Sequence, residues 1–400
     1  MVDAVIVGRN LGDIAFAAVG GSAAKITVLL VNFFVGVSCG ITTYTARHFG
    51  KQDMRAVQQT IYNGSMLFLL LGTILSVIAF FSAPFLLNVM GTPAESFAYA
   101  NIYLRTSMCG LVFCVMFNTF SGILRAMGDT KLPLYSLIFC SFINIGLDLM
   151  FVIIFQWGVF GVAFATILAQ AISTVILGIV IYKKSPEIKH AFSLDKNMML
   201  DICKVGLPAG VQSIMYSLSN ILVQKTINDF GYLAVSAWAA YVKIDNIIDV
   251  FVSSLASSVI PFVGQNLGAG KFERVKQSVK QIMFICYVIA AVLTLSFILF
   301  RLPLIGIPHQ IFSQALRGFG KSFSPMIITL IGVVGLRVIW VIYIFQLRPT
   351  IYFLGLCYPI SSLIMSVTFT VYYLTVIKAY GRNLIDNVME KLKQPQCSTL

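Results

Sequence analysis

Charge is what this 400-residue sequence has least of, with Asp, Glu, Lys and Arg together making up only 11% of it. A soluble domain carries roughly 25%, so the polar surface needed to cover a water-soluble fold is missing. Acid is scarcer than base, 15 residues against 28, and His and Trp number three each. No His-Glu-x-x-His, paired Asp-rich metal motif or Gly-x-Ser-x-Gly occurs, which argues against a membrane-embedded enzyme. The eight cysteines form no Cys-x-x-Cys pair. Cys39, Cys109, Cys114, Cys140, Cys286 and Cys357 lie in apolar stretches and are expected to be small buried hydrophobes rather than disulfides or metal ligands. Asp3 and Arg9 interrupt the opening segment, so it does not read as a cleavable signal peptide.

What is abundant is hydrocarbon. The chain is 58% hydrophobic, with a mean hydropathy of +0.90. Apolar runs of about 18 residues or more recur, each long enough to cross the hydrocarbon of a bilayer. Only helices and closed barrels satisfy the backbone there, and the short alternating pattern of barrel strands is absent. The pattern predicts helical spans near 14–43, 57–88, 97–122, 133–156, 158–182, 205–228, 232–262, 280–303, 325–346 and 350–378, with 1–10 as the tail of another. The expected fold is therefore an all-α polytopic membrane protein.

The net charge of +13 is carried by alternate connections. Basic residues cluster at 47–55, 125–131, 183–204, 271–280, 317–321 and 378–393, whereas 88–97, 155–160 and 229–232 hold almost none. The positive-inside rule puts the basic set and the C-terminus in the cytoplasm, which leaves no excess charge to assign to nucleic acid. The longest basic connection divides the chain into an N-terminal lobe (1–182), a cytoplasmic linker (183–204), a C-terminal lobe (205–380) and a cytoplasmic tail (381–400).

The lobes repeat each other. Ala46-Arg47-His48-Phe49-Gly50 lines up with Gly264-Gln265-Asn266-Leu267-Gly268, and Leu124-Arg125-Ala126-Met127-Gly128-Asp129 with Leu316-Arg317-Gly318-Phe319-Gly320-Lys321. Pro133 falls opposite Pro325. Parallel repeats of this kind are a transporter architecture. From Gly50 to Leu124 is 74 residues, but from Gly268 to Leu316 only 48, a deficit of 26, about one span. The chain is therefore expected to be an internally deleted and N-terminally shortened version of a longer protein, with its first and tenth spans incomplete.

Those motifs, together with Val2-Asp3-Ala4-Val5-Ile6-Val7-Gly8-Arg9 leading to Ala17-Ala18-Val19-Gly20 and with Gln265-Asn266-Leu267-Gly268-Ala269-Gly270, resemble the multidrug and toxic compound extrusion (MATE) family over nearly the whole chain. The resemblance implies about twelve helices in two six-helix lobes around a V-shaped cleft. It also implies export of organic cations and amphipathic drugs by antiport against H⁺ or Na⁺, with no cofactor, by a monomer in the plasma membrane (the inner membrane of a bacterial cell).

Ionisable groups at membrane depth are expensive and usually serve an ion or substrate path. Asp148 stands in the apolar run 143–151 with Asn144 one turn earlier, so both project from one helix face. Thr166 can add a hydroxyl from the next helix. By resemblance, Asp3, Asn144, Asp148 and Thr166 match the family's N-lobe site, which would hold Na⁺ in a sodium-coupled transporter, and Tyr103 and Asn118 match two further polar positions. Burial penalises the charged carboxylate, so Asp3 and Asp148 are expected to share one proton or jointly hold one Na⁺.

In the second lobe Lys243, Asp245 and Asp249 read as an internal ion pair or as cleft-lining substrate contacts, with Gln212 and Lys225 facing the same cavity. The family's buried C-lobe Glu has no clear match. Phe113, Met116, Phe117, Met215, Tyr216, Trp238 and Tyr241 either line a pocket for flat cations or pack against lipid. His48, His190 and His309 read as solvated loop residues. A lipid-linked oligosaccharide flippase of the same superfamily is the nearest alternative; it is expected to need a strongly basic central cleft, and here the bases sit in loops. An inactive relic is the other.

Overall fold

The structure is a computed structural model and describes residues 2–184, 194–228, 230, 232–296 and 307–393. For some residues within these helices, among them Asp3, Lys225, Lys243 and Asp245, only the backbone is described. Every element among the described residues is helical. The first eight are α1 (Val2–Asn10), α2 (Asp13–Gly20), α3 (Ser22–Gly50), α4 (Met54–Val89), α5 (Ala94–Cys109), α6 (Leu111–Ala126), α7 (Lys131–Leu149) and α8 (Gly158–Lys184). They are followed by α9 (Lys196–Asn228), α10 (Tyr232–Gly268), α11 (Phe272–Ser296), α12 (Ile307–Gly318), α13 (Phe323–Thr329), α14 (Leu336–Ile339), α15 (Ile351–Gly355) and α16 (Cys357–Lys393). Seven helical stretches among the described residues are long and apolar enough to cross a membrane, or eight if α5 and α6 count as one bent span. Large apolar side chains face outward on them: Phe81 on α4 is 73% exposed and Phe142 on α7 72%. Only a hydrocarbon solvent makes such a surface favourable. The protein is a multi-pass membrane protein.

The helices form two compact units, Met1–Ser217 and Leu218–Leu400. The division falls inside α9, beyond the basic connection at which the sequence divides. The reason lies in the first half of α9, which packs on α3 through small residues. A Cβ on Gly36 would meet the Ala209 carbonyl at 2.6 Å, and Cβ atoms on Gly40 and Gly206 would fall on the Ile202 and Val37 carbonyl oxygens. Small residues let membrane helices approach closely enough for dispersion and weak polar contacts to hold them.

Within the first unit the expected span 97–122 is two helices, α5 and α6, bent by 45° at Gly110. A side chain at Gly110 would collide with Ile167. The break frees the Met108 carbonyl, and the Ser76 hydroxyl donates to it. A broken helix is tolerated at membrane depth when protein groups satisfy the freed backbone in this way. The predicted span 14–43 is likewise interrupted, at Gly20–Gly21 between α2 and α3, and α3 runs on to Gly50.

The internal repeat is written in the backbone. After α3, Lys51, Gln52 and Asp53 donate to the carbonyls of Arg47, Phe49 and His48; after α10, Ala269, Gly270 and Lys271 donate to Gln265, Leu267 and Asn266. After α6, Gly128 donates to Arg125 and Asp129 to Leu124; after α12, Gly320 donates to Arg317 and Lys321 to Leu316. Each is a Schellman-type end with one residue at positive φ: Gln52 (59°), Gly270 (69°), Gly128 (89°) and Gly320 (77°). The two lobes therefore stop and restart their helices at matching places. Between those stops, α11 and α12 of the second unit answer α4 and α6 of the first, and α5 has no counterpart among the described residues.

Candidate functional site

Asp148 has no exposed surface and is the most buried acid among the described side chains of the first unit. It sits in the last turn of α7, just before a π-helical segment, Met150–Ile154. The wider π turn carries the chain into an aromatic stack that closes the α7–α8 connection, where Phe151 and Trp157 lie parallel at 4.8 Å. Such π turns are frequent at functional sites.

One turn before Asp148, the Asn144 amide donates to the Thr166 hydroxyl across 3.3 Å, and Thr166 donates to the Val162 carbonyl at 3.1 Å. Val152, one turn beyond Asp148, and Val162, one turn before Thr166, belong to the same buried cluster, together with Ile6 and Val7 of α1. Tyr103 packs against that cluster from α5. The structure thus brings the α7 and α8 candidates to one place, with α1 and Tyr103 beside them. Asp3 lies on α1, and its side chain is outside the described set. Asn118 on α6 donates instead to the carbonyl of Cys114 on its own helix, at 2.8 Å. An amide oxygen, a carboxylate and a hydroxyl gathered in apolar surroundings are hard oxygen donors suited to a proton or a small cation.

In the second unit Asp249 is exposed, and its carboxylate accepts from the Gln310 amide at 2.7 Å. Lys225, Lys243 and Asp245 lie outside the described side chains. Gln212 is buried in the part of α9 that belongs to the first unit. His309 departs from expectation: it is a buried residue of α12, not a solvated loop group. His48 is half-buried at the end of α3, and His190 lies outside the described residues. Among the cysteines, Cys114, Cys286 and Cys357 are buried, but Cys39 and Cys140 are half-buried and Cys109 is exposed, and none of these six is in a disulfide. Of the aromatic and methionine candidates, Met116 is buried in the first core, and Trp238 packs on Tyr358 at 5.5 Å in the second.

The family model described as MatE matches residues 1–150 and 208–308, more than half of the chain. The chain belongs to the MatE family. Its members are transporters, not enzymes. This MatE chain is 27% identical over 323 residues to the probable multidrug resistance protein YoeA of Bacillus subtilis (strain 168), covering 78% of itself and 68% of that protein. It is 29% identical over 283 residues to YpnP of the same organism, also named a probable multidrug resistance protein, covering 68% of itself and 62% of that protein. A crystal structure of a MATE protein in the bent conformation superposes with a TM-score of 0.87 at 20% identity, covering 96% of this chain and 91% of that one. That likeness establishes the fold.

Sequence reasoning passed over one group in this MatE chain. Arg337 lies in α14, flanked by the π-helical segments Leu330–Gly335 and Trp340–Ile344, and it is only 6% exposed. The signal that found Asp148, a lone ionisable residue in an apolar run, marks it equally well.

Proposed function

We propose that this MatE chain is a secondary active exporter of amphipathic organic molecules, organic cations foremost, driven by entry of H⁺ or Na⁺ at Asp148. The observation that carries the reading is a fully buried carboxylate in an apolar helix, one turn from an amide and a hydroxyl already drawn together at 3.3 Å. A charge there costs about 3 kcal/mol or more unless it is compensated. A bound proton or Na⁺ removes that cost, and its release toward the cytoplasm restores it, so the ion's occupancy biases the helices around it. One charge crossing contributes about 2.3 kcal/mol per 100 mV, and one pH unit about 1.4 kcal/mol. In this reading the C-terminus and the basic connections are cytoplasmic, and the names of the curated relatives support drugs as cargo.

Ethidium accumulation in cells expressing the chain tests this. Wild-type cells should retain less dye than empty-vector cells, and Asp148→Asn should slow efflux at least about tenfold, one step of 1.4 kcal/mol in a barrier. Equal efflux by wild type and variant removes Asp148 from the coupling. Wild-type cells that fill like empty-vector cells favour the inactive-relic reading. That alternative has an observation of its own: between its two matching helix ends the second lobe has 26 fewer residues than the first, about one span.

A further inference from the structure

A guanidinium carries five N–H donors and a charge that is not lost in a protein. At Arg337 three donors are engaged. Nε donates to Ser361 Oγ at 3.4 Å, and Nη1 donates to Ser219 Oγ at 3.3 Å and to Asn220 Oδ1 at 2.8 Å. Its Cζ lies over the Tyr358 ring, 4.2 Å from the centroid. Each of these partners is neutral. Among the described residues no carboxylate pairs with Arg337, and no acceptor meets the two Nη2 donors. Asn220 is exposed while Arg337 is buried, so the guanidinium sits one side chain below the surface of the second unit.

A role as glue between α9, α14 and α16 does not need this chemistry. A neutral amide would bond the same hydroxyls without the several kcal/mol that an uncompensated buried charge costs. What the arrangement offers beyond glue is a fixed positive charge with a pair of donors left over and an aromatic face behind it. That set fits an oxyanion, which accepts charge-assisted hydrogen bonds from a guanidinium better than from any other side chain.

We propose that Arg337 is an anion subsite that takes the carboxylate, sulfonate or phosphate-ester group of an amphipathic organic cargo, so that the second unit of this chain admits anionic or zwitterionic molecules. Only the word cargo rests on the exporter reading. The subsite itself is tested by equilibrium binding to the full chain purified in a neutral detergent.

Fluorescence polarisation is read with two dyes, carboxyfluorescein (anionic) and ethidium (cationic). The wild type should bind both. Arg337→Gln should weaken carboxyfluorescein at least about tenfold, the weight of a charge-assisted pair, and leave ethidium within about twofold. Arg337→Lys keeps the charge and loses the fork, so it should fall between them; it also serves as the working variant if Arg337→Gln melts at a much lower temperature. Benzenesulfonate should displace carboxyfluorescein, and phosphatidylglycerol should not. The proposal is overturned if the wild type ignores carboxyfluorescein, or if both variants bind it like the wild type. It is equally overturned if both dyes weaken together in folded Arg337→Lys, or if phosphatidylglycerol alone displaces the dye, which would assign the site to a lipid headgroup. A chain that binds carboxyfluorescein through Arg337 yet moves no dye across a membrane loses the exporter reading and keeps the subsite.

Discussion

Gly40 and Gly206 set the distance between α3 and α9 in the first unit, because each would drive a Cβ into a carbonyl of the other helix. Gly40→Ala should therefore cost about 1–3 kcal/mol, the range for overpacking a tight contact. A thermal melt of the purified chain should fall by several degrees, and an unchanged melt would show that the helices separate freely. At this same scale the sequence speaks unevenly. Asp148 is legible because a carboxylate contrasts with the apolar residues around it, and helical spacing puts Asn144 on its face. The Asn144–Thr166 bond spans 22 positions, and only the antiparallel return of α8 along α7 creates it. His309 was misread because its surroundings in the sequence are mildly polar; it is α12 packing within the second unit that buries it. Arg337 was as visible as Asp148, but its neutral partners lie at 219, 220, 358 and 361, and no local spacing points to them.

The connection between α6 and α7 is held by one acid. The Asp129 carboxylate accepts from the Lys184 ammonium at the end of α8, and from the Leu132 backbone N–H, at 3.1 Å, in the first turn of α7. The hydrogen bond from Lys184 is the main reason its carboxyl is held below the ordinary carboxylate range, with the backbone N–H groups adding to it. A depressed carboxyl contributes stability above its unfolded value, near 4, and loses it as pH falls through the lower folded value. Melting temperature should thus be level near neutrality and decline in acid, and Asp129→Asn should flatten that decline. The loss at pH 7 should stay near 1 kcal/mol, since exposed pairs are worth about 0–1 and a helix-start acceptor is partly preserved by Asn. A steeper acid decline in the variant than in the wild type would contradict the assignment. Whole helices of this kind are well predicted by apolar run length, because lipid leaves the backbone no other option. Their interruptions are not: the bend at Gly110 packs against Ile167, and the Met108 carbonyl beside it is met by Ser76, both distant in sequence.

The duplication makes a claim about the whole molecule. Matching Schellman ends at Gln52 and Gly270, and at Gly128 and Gly320, require the chain to stand on the same membrane face at all four points if both lobes keep one orientation. With the basic connections in the cytoplasm, as proposed above, α4 would cross outward and the bent pair α5–α6 would return. In the second unit, α11 takes the place of α4 and α12 that of α6. The charges agree with a return, since Lys271, Arg274, Arg317 and Lys321 all favour the cytoplasm, by about 1 kcal/mol for each base held near an anionic surface. Single cysteines on a background with the eight native ones replaced should settle the matter. A membrane-impermeant maleimide applied to intact cells should label Thr92→Cys and Gln156→Cys, and should reach Gln52→Cys, Gly270→Cys and Lys321→Cys only after permeabilisation. Labelling of Lys321→Cys from outside would mean that α11 makes the only crossing between the two basic turns. The helices from α13 onward would then run inverted relative to their counterparts from α7. Arg337 would keep its neutral cradle in that arrangement.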